Sequence, residues 1–227
     1  MRNNNTAIPS ITGFPLFDCL DPSEQATLES MVEHKVKPKY SFVYLPDEPS
    51  DTIFFLARGS VKTATHSSDG KEVIKSIFHP LAMFGELGIV GEPVRTDLAQ
   101  CLREEVHLHL LRVADMKLLM QRNFTLADRV LSLFGNRLIR AENKLESLIF
   151  KDARARIIDF IKEAIAKDGT KVGYEMLLRH SLTHQDIANI TCTSRQTVTL
   201  VLNELKKSDL IYFNRGKILV RDMEKLS

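Results

Sequence analysis

The stretch LTHQDIANITCTSRQTVTLVLNELKK, residues 182–207, reads as two helices separated by a turn of about three residues. Apolar residues of the second half recur at helical spacing and predict one buried face: Val198, Val201, Leu202 and Leu205. That half nevertheless opens with side chains that donate or accept hydrogen bonds: Ser194, Arg195, Gln196, Thr197 and Thr199. The second helix is therefore predicted to have a packed inner side and an outer side free to bind another molecule.

Local signals on both sides of the turn agree with this interpretation. Thr183 can cap the first helix, with Asp186 three residues later, and Ser194 can cap the second. Beyond the helices, LIYF and KILV flank the turn NRG, residues 214–216, as expected for a two-stranded wing. The sequence thus predicts a winged helix-turn-helix, whose second helix enters the major groove of DNA.

The predicted contacts with double-stranded DNA follow from side-chain chemistry. Arg195 can form two hydrogen bonds with guanine, and Gln196 can pair with adenine. The hydroxyls of Ser194, Thr197 and Thr199 can reach phosphate or base edges. The preceding helix opens with three further candidates, which lie where free amides favour a phosphate: Thr183, His184 and Gln185. The alternative is an ordinary surface helix with a polar N-terminus.

The distribution of charge agrees with a polyanion as partner. Residues 151–227 hold 14 Lys and Arg against 10 Asp and Glu, whereas the rest of the chain holds 17 against 19. The 227 residues are 44% hydrophobic, and no apolar stretch approaches the roughly 20 residues needed to cross a bilayer. Because the start MRNNNTAIPS also lacks the apolar core of a signal peptide, we expect a cytoplasmic protein with no membrane association.

Residues 35–112 predict an antiparallel barrel or roll, because short alternating segments are separated by turn residues. In the segment VHLHLL, Val106, Leu108 and Leu110 should share one face, and His107 and His109 should point outward on the other. Ahead of the roll, Asp21 should cap a short helix. Behind it, residues 124–150 keep apolar residues at alternating steps of three and four: Leu131, Phe134, Leu138, Ala141, Leu145 and Leu148.

That apolar stripe is typical of a coiled-coil seam, so a homodimer is predicted; the alternative is a long helix lying against its own domain. The fold class is α+β, in three parts. Residues 1–123 form an N-terminal antiparallel β-roll, similar to a jelly roll, with its N-terminal helix. Residues 124–150 form the dimerisation helix, and residues 151–227 form the winged helix-turn-helix domain.

The chain resembles the Crp/Fnr family of bacterial transcription regulators from about residue 15 to its end. TSRQTVTLVLNELKKSDLI is similar to the family's recognition helix, and FGELGIVGEPVRT, residues 84–96, is similar to its phosphate-binding cassette. The resemblance implies a homodimer in which the roll senses a small effector and the long helix carries the signal to two DNA-binding domains. It also implies a pseudo-palindromic DNA site and RNA polymerase as a partner.

The resemblance also implies an effector site. In the family's cyclic-nucleotide-binding members, the residues matching Gly85, Arg95 and Thr96 hold the cyclic phosphate, and the residue matching Glu86 takes the ribose hydroxyl. A glycine lets the backbone approach closely, and a buried arginine makes strong bonds to phosphate.

This sequence departs from the family pattern at several positions. Ala141 and Glu142 stand where the cyclic AMP receptor has its adenine-binding Thr-Ser pair, and Arg137 and Arg140 could supply replacement contacts. Cyclic AMP, another nucleotide or anion, and an empty structural cassette all remain open. The predicted recognition helix also departs from the family: Gln196 stands where many members have Glu, and Leu200 stands where the cyclic AMP receptor has an Arg that helps to read guanine.

Two other interpretations are weaker. The His107 and His109 pair could bind a metal in a roll-shaped enzyme, but no supporting carboxylate follows closely, since the next one is Asp115. No catalytic motif supports an enzyme. A constitutive DNA binder with a vestigial pocket is a further alternative. In the turn between the two helices, Cys192 occupies the position usually held by Gly, where a left-handed backbone would cost about 1 kcal/mol.

Overall fold

The structure, a computed structural model, describes residues 8–180, 182–214 and 216–226. The start of the predicted roll domain, the middle of the predicted wing turn at Arg215, and the last residue of the predicted winged domain lie outside the described residues. The chain divides into two compact units. The first comprises Met1–Gly70 and Lys75–Arg137, and the second comprises Lys71–Ile74 and Leu138–Ser227.

The chain enters the first unit through a short helical segment. Two 3-10 turns, Ile11–Gly13 and Pro15–Phe17, precede the helix α1, Pro22–Met31. The predicted cap is confirmed, because the Asp21 carboxylate accepts from the amides of Ser23 and Glu24 at 2.8 and 2.9 Å, and the Glu24 side chain accepts in return from the Asp21 amide.

Eight strands lie between α1 and the next α-helix in the described part of the chain. They are β1 Glu33–Lys37, β2 Phe42–Tyr44, β3 Thr52–Arg58, β4 Val61–His66, β5 Glu72–Phe78, β6 Met83–Phe84, β7 Leu98–Cys101 and β8 Val106–Arg112. They form two four-stranded sheets, in the orders β1-β8-β3-β6 and β2-β7-β4-β5. The strand pairs whose register is resolved are antiparallel, as the predicted roll requires.

The prediction that both histidines of β8 point outward is wrong for His109, which is fully buried. Its Nε2 lies 2.8 Å from the Pro9 carbonyl oxygen, and its ring packs edge-on against Phe14 and against His34 of β1. The N-terminal segment covers this face of the sheet. An alternating strand pattern cannot predict such a cover, because the covering residues are about 100 positions away in the sequence.

Two helices follow β8, α2 Val113–Arg122 and α3 Phe124–Phe150, and α3 belongs to the first unit as far as Arg137 and to the second unit from Leu138. The first turns of α3 pack into the core through Leu126 and Val130. The rest of α3 carries the apolar stripe on its surface, with Leu138 62% exposed and Leu145 59% exposed. Among the described residues, no helix is long and apolar enough to cross a membrane.

Within the described residues from 153 onward, the second unit packs three helices with a four-stranded sheet. Its elements are the helices α4 Ala153–Asp168, α5 His184–Thr191 and α6 Arg195–Lys207, and the strands β9 Thr170–Val172, β10 Glu175–Arg179, β11 Ile211–Asn214 and β12 Lys217–Val220. The strands form one sheet in the order β11-β12-β10-β9. The β11 and β12 hairpin confirms the predicted wing, and isoleucines of α4 pack with the buried faces of α5 and α6.

Candidate functional sites

Helix α6 has the two sides that its sequence predicts. Val198, Val201, Leu202 and Leu205 are buried in the core of the second unit. Ser194 caps the helix, because its hydroxyl accepts from the Thr197 amide at 3.0 Å. The same hydroxyl lies 2.8 Å from the Thr197 hydroxyl. Arg195 and Gln196 follow the cap and are exposed. The first turn thus presents an arginine and an amide to solvent at the N-terminus of a rigid helix.

Helix α5 is capped by a reciprocal pair. The Thr183 hydroxyl accepts from the Asp186 amide at 3.0 Å, and the Asp186 carboxylate accepts from the Thr183 amide at 2.7 Å. That carboxylate also accepts from the Thr183 hydroxyl at 2.6 Å. The Thr183 side chain is therefore used for capping, whereas the neighbouring Gln185 is exposed and donates to Asn189 at 2.8 Å.

His184 joins three elements of the second unit. Its Nδ1 lies 2.9 Å from the Thr199 hydroxyl on α6, and its ring lies 5.9 Å from the Phe213 ring on β11. The Thr199 hydroxyl in turn donates to the Arg195 carbonyl at 2.9 Å. Burial and the nearby Arg195 lower the pKa of His184, so the ring is neutral at pH 7. His184 thus joins α5 to α6 and to β11 through side-chain contacts.

The turn between α5 and α6 is left-handed at Cys192, with φ of 51° and ψ of 52°. An arginine that the sequence did not identify holds this turn in place. Arg156 of α4 donates through Nε to the Thr191 carbonyl at 2.9 Å and through Nη2 to the Cys192 carbonyl at 3.1 Å. Because both acceptors are backbone groups about 35 residues away, no sequence pattern points to this clamp.

The cassette in the first unit surrounds a buried cation. Arg95 is only 5% exposed, and its guanidinium lies 4.5 Å from the centre of the Tyr44 ring. Nη1 donates to the Gly85 carbonyl at 2.6 Å and Nη2 to the Thr52 carbonyl. Burial lowers the pKa of Arg95, and the negative charges around it partly oppose this shift. Its Nε is buried and has no partner among the described residues.

Gly85 is required at its position for two reasons. Its φ is +72°, and a Cβ there would lie 2.9 Å from the Phe54 ring and 3.0 Å from Nη1 of Arg95. A larger residue would therefore displace the guanidinium.

Glu86 is 2% exposed and forms an ion pair with Arg137 of α3. Arg137 also donates to the Met83 carbonyl. The second carboxylate oxygen of Glu86, Oε2, is buried and has no partner among the described residues. The structure therefore brings Gly85, Glu86, Arg95 and Arg137 together within the first unit. Of the other two predicted effector residues, Thr96 is exposed in the same unit, and Arg140 is exposed and belongs to the second unit.

Asp97 stands two residues from Arg95 but is bound elsewhere. Its carboxylate accepts from the Tyr44 hydroxyl at 3.2 Å and pairs with Lys75 at 3.2 Å. Burial, together with this carboxylate, raises the pKa of Tyr44 well above its usual range. Because Lys75 and Tyr44 hold Asp97, it does not form an ion pair with Arg95. In the described part of the chain, no group of three or more His, Cys, Asp or Glu residues could hold a metal ion.

Comparison with known proteins gives a match for each unit. Residues 35–123 match the model of the cyclic nucleotide-binding domain, and residues 155–227 match that of the Crp-like helix-turn-helix domain. A CRP-like cAMP-activated global transcriptional regulator of Mycobacterium tuberculosis is 28% identical over 212 residues, covering 93% of this chain and 94% of that protein. The global nitrogen regulator of a Synechocystis species is 25% identical, covering 82% and 83%.

Solved structures share the fold. FixK2 from Bradyrhizobium japonicum has a TM-score of 0.76 at 20% identity, covering 86% of this chain and 95% of that one. A CooA mutant from Carboxydothermus hydrogenoformans has a TM-score of 0.77 at 22% identity, covering 88% of both chains. Both likenesses concern the arrangement of the backbone alone.

Proposed function

The chain belongs to the Crp/Fnr family of DNA-binding transcription regulators, and from that membership we propose which residues read DNA and which sense an effector. Arg195 and Gln196 contact base edges in the major groove, and Ser194, Thr197 and Gln185 contact phosphates. Thr183, His184 and Thr199 complete this DNA-binding surface mainly by holding α5 and α6 in position. The observation that carries the proposal is the exposure of Arg195 and Gln196 on a helix whose opposite face is buried.

The experiment for the DNA-binding surface is a selection of bound fragments from random duplex DNA with the purified protein at low salt. We expect an enriched site with two-fold symmetry, whose half-sites lie about 34 Å apart, one turn of the double helix. Enrichment of no sequence, or of a single asymmetric element, would contradict the proposal.

For the effector site, we propose an anionic small molecule bound near Arg95, with cyclic AMP as the first candidate. Arg95 is a buried cation, and three of its five N–H groups remain after the bonds to Gly85 and Thr52. Glu86 has an oxygen left to accept from a ligand hydroxyl. These groups suit an anion that also carries hydroxyls, which describes a ribose phosphate. Another nucleotide or anion would suit the same groups, with Thr96 and Arg140 as further candidate contacts.

The Glu86 and Arg137 ion pair offers a route for the signal. A ligand hydroxyl that takes Glu86 would compete with Arg137, which belongs to α3. Only an effector that binds the two states of this pair with different affinity could shift the protein between them. If the pair stays closed with every ligand, the chain is instead a constitutive DNA binder with a vestigial pocket.

Calorimetric titration with cyclic AMP, other nucleotides and inorganic phosphate tests the effector proposal. Arg95→Ala should lose the binding heat of whichever ligand binds the wild type, because the charge-assisted bonds are lost. Arg58→Ala, which removes an exposed arginine of the same unit, should bind normally. Equal ligand binding by both variants would show that Arg95 does not contact the ligand.

The remaining parts of the proposal concern assembly and location. We propose a homodimer joined along the exposed stripe of α3, with three functional parts at residues 1–123, 124–150 and 151–227. We also propose a cytoplasmic protein that contacts RNA polymerase when bound to DNA. Its role in this view is regulatory and involves no catalysis.

A further inference from the structure

Leu200 is an apolar residue on the outermost strip of α6. It is 59% exposed, whereas the other aliphatic residues of that helix are buried. Because an α-helix has about 3.6 residues per turn, residues three or four positions apart line up along it, and one such strip lies opposite the buried face. The strip consists of Gln196, Leu200, Asn203 and Lys207.

Exposure alone would mean little, since single exposed leucines are common on protein surfaces. The position of Leu200 matters more. It lies one helical turn after Gln196, so the two side chains are neighbours on the helix surface. The inference rests on the proposed docking of α6: if Gln196 meets a base edge, Leu200 meets the groove floor or wall beside it.

The chemistry of the major groove leaves one good partner for a leucine there. Each base edge presents hydrogen-bond donors or acceptors, and thymine alone adds an apolar group, the C5 methyl. A leucine against the polar edge of another base would remove water from groups that it cannot hydrogen-bond, which is costly. It cannot bind phosphate either. We therefore propose that Leu200 selects a thymine next to the base read by Gln196, through contact with the thymine methyl group.

The test uses DNA in which only that methyl group is changed. From the site enriched in the random-DNA selection, duplexes are made in which each thymine in turn is replaced by deoxyuridine. We expect one thymine in each half-site at which the replacement weakens binding, by about fourfold, the value for burying one methyl or methylene group. The other thymines should tolerate the replacement.

Two variants then connect this effect to Leu200. Leu200→Asn keeps the approximate shape but is polar, so it should bind thymine and deoxyuridine duplexes with equal affinity at that position. Leu200→Met stays apolar and should keep the discrimination. Both changes lie at an exposed position, and circular dichroism should show that each variant folds like the wild type.

The possible results separate this inference from the proposed function. A selection that enriches no site would overturn the docking of α6 and the role of Leu200 with it. An enriched site whose affinity is insensitive to deoxyuridine throughout would overturn the role of Leu200 alone. So would a sensitivity that persists unchanged in Leu200→Asn.

Discussion

Arg195 combines a charge that any DNA would attract with a geometry that suits one base. Replacing it with alanine should cost about 1 to 3 kcal/mol on the selected site and relax the preference at one base position. Lys167→Ala is the matched control, because it removes one positive charge from an exposed position at the end of α4. Titrations with selected and with random duplexes would measure the DNA affinity of both variants. An equal loss on the two kinds of DNA would show that Arg195 contacts phosphate only.

His109 should make the stability of the first unit depend on pH. Burial lowers its pKa in the folded state, so below the ordinary value of about 6.5 the unfolded chain takes up a proton that the folded chain resists. The contribution of His109 to the free energy of unfolding is therefore fully present above that pH and is lost as the pH falls. Each unit of difference between its unfolded and folded pKa values corresponds to about 1.4 kcal/mol.

The variant His109→Gln tests this dependence, because glutamine can still donate to the Pro9 carbonyl but does not titrate. Urea unfolding followed by circular dichroism at pH 7, 6 and 5 should give a steeper decline for the wild type than for the variant. The neighbouring His34 is present in both proteins, so the two differ only at position 109. Parallel curves would contradict the prediction.

Among the elements, the turn between α5 and α6 stores a small strain at Cys192. A glycine adopts the left-handed backbone freely, so Cys192→Gly should stabilise the second unit by about 0.5 to 1 kcal/mol. Cys192→Val should destabilise it by at least as much, since a β-branched residue fits this backbone poorly. Thermal unfolding of the full chain would rank the three proteins, and a glycine variant less stable than the wild type would show that the thiol makes a compensating contact.

The caps and the turn could be predicted from the sequence because each depends on residues within four positions. Asp21, Thr183 and Ser194 cap their helices as expected, whereas the sequence left open whether the backbone of the turn at Cys192 is left-handed, as the structure has it. The Arg156 clamp could not be predicted, because its acceptors are backbone groups of distant residues. The same holds for the burial of His109, which depends on the covering N-terminal segment.

In the cassette, too, the residues could be predicted but their tertiary contacts could not. The resemblance pointed to Gly85, Glu86, Arg95 and Thr96, and the structure gathers the first three with Arg137. The ion pair between Glu86 and Arg137 is a tertiary contact between positions about 50 residues apart, and no local pattern encodes it. The resemblance could name the residues of the cassette but not the bonds among them.

At the level of the whole molecule, the apolar stripe of α3 predicts how two copies associate. Leu145→Asp should weaken the dimer strongly, because it buries a charge in the proposed seam. Asn143→Asp introduces the same charge at an exposed position of α3 away from the stripe, and it should leave the dimer intact. Sedimentation over a range of protein concentrations would measure both. A monomeric wild type, or equal association of the two variants, would contradict the seam.

The contact between His184 and Thr199 has a consequence for the imidazole itself. The Thr199 hydroxyl has a single proton and gives it to the Arg195 carbonyl, so it can only accept from the ring. His184 is therefore held as one tautomer, with hydrogen on Nδ1 and a lone pair on Nε2. Replacing Thr199 with valine would free the ring to adopt the other tautomer, and nitrogen chemical shifts of the imidazole would record the exchange. The Thr199 hydroxyl on α6 thus decides whether Nε2 of His184 on α5 can donate or accept a hydrogen bond.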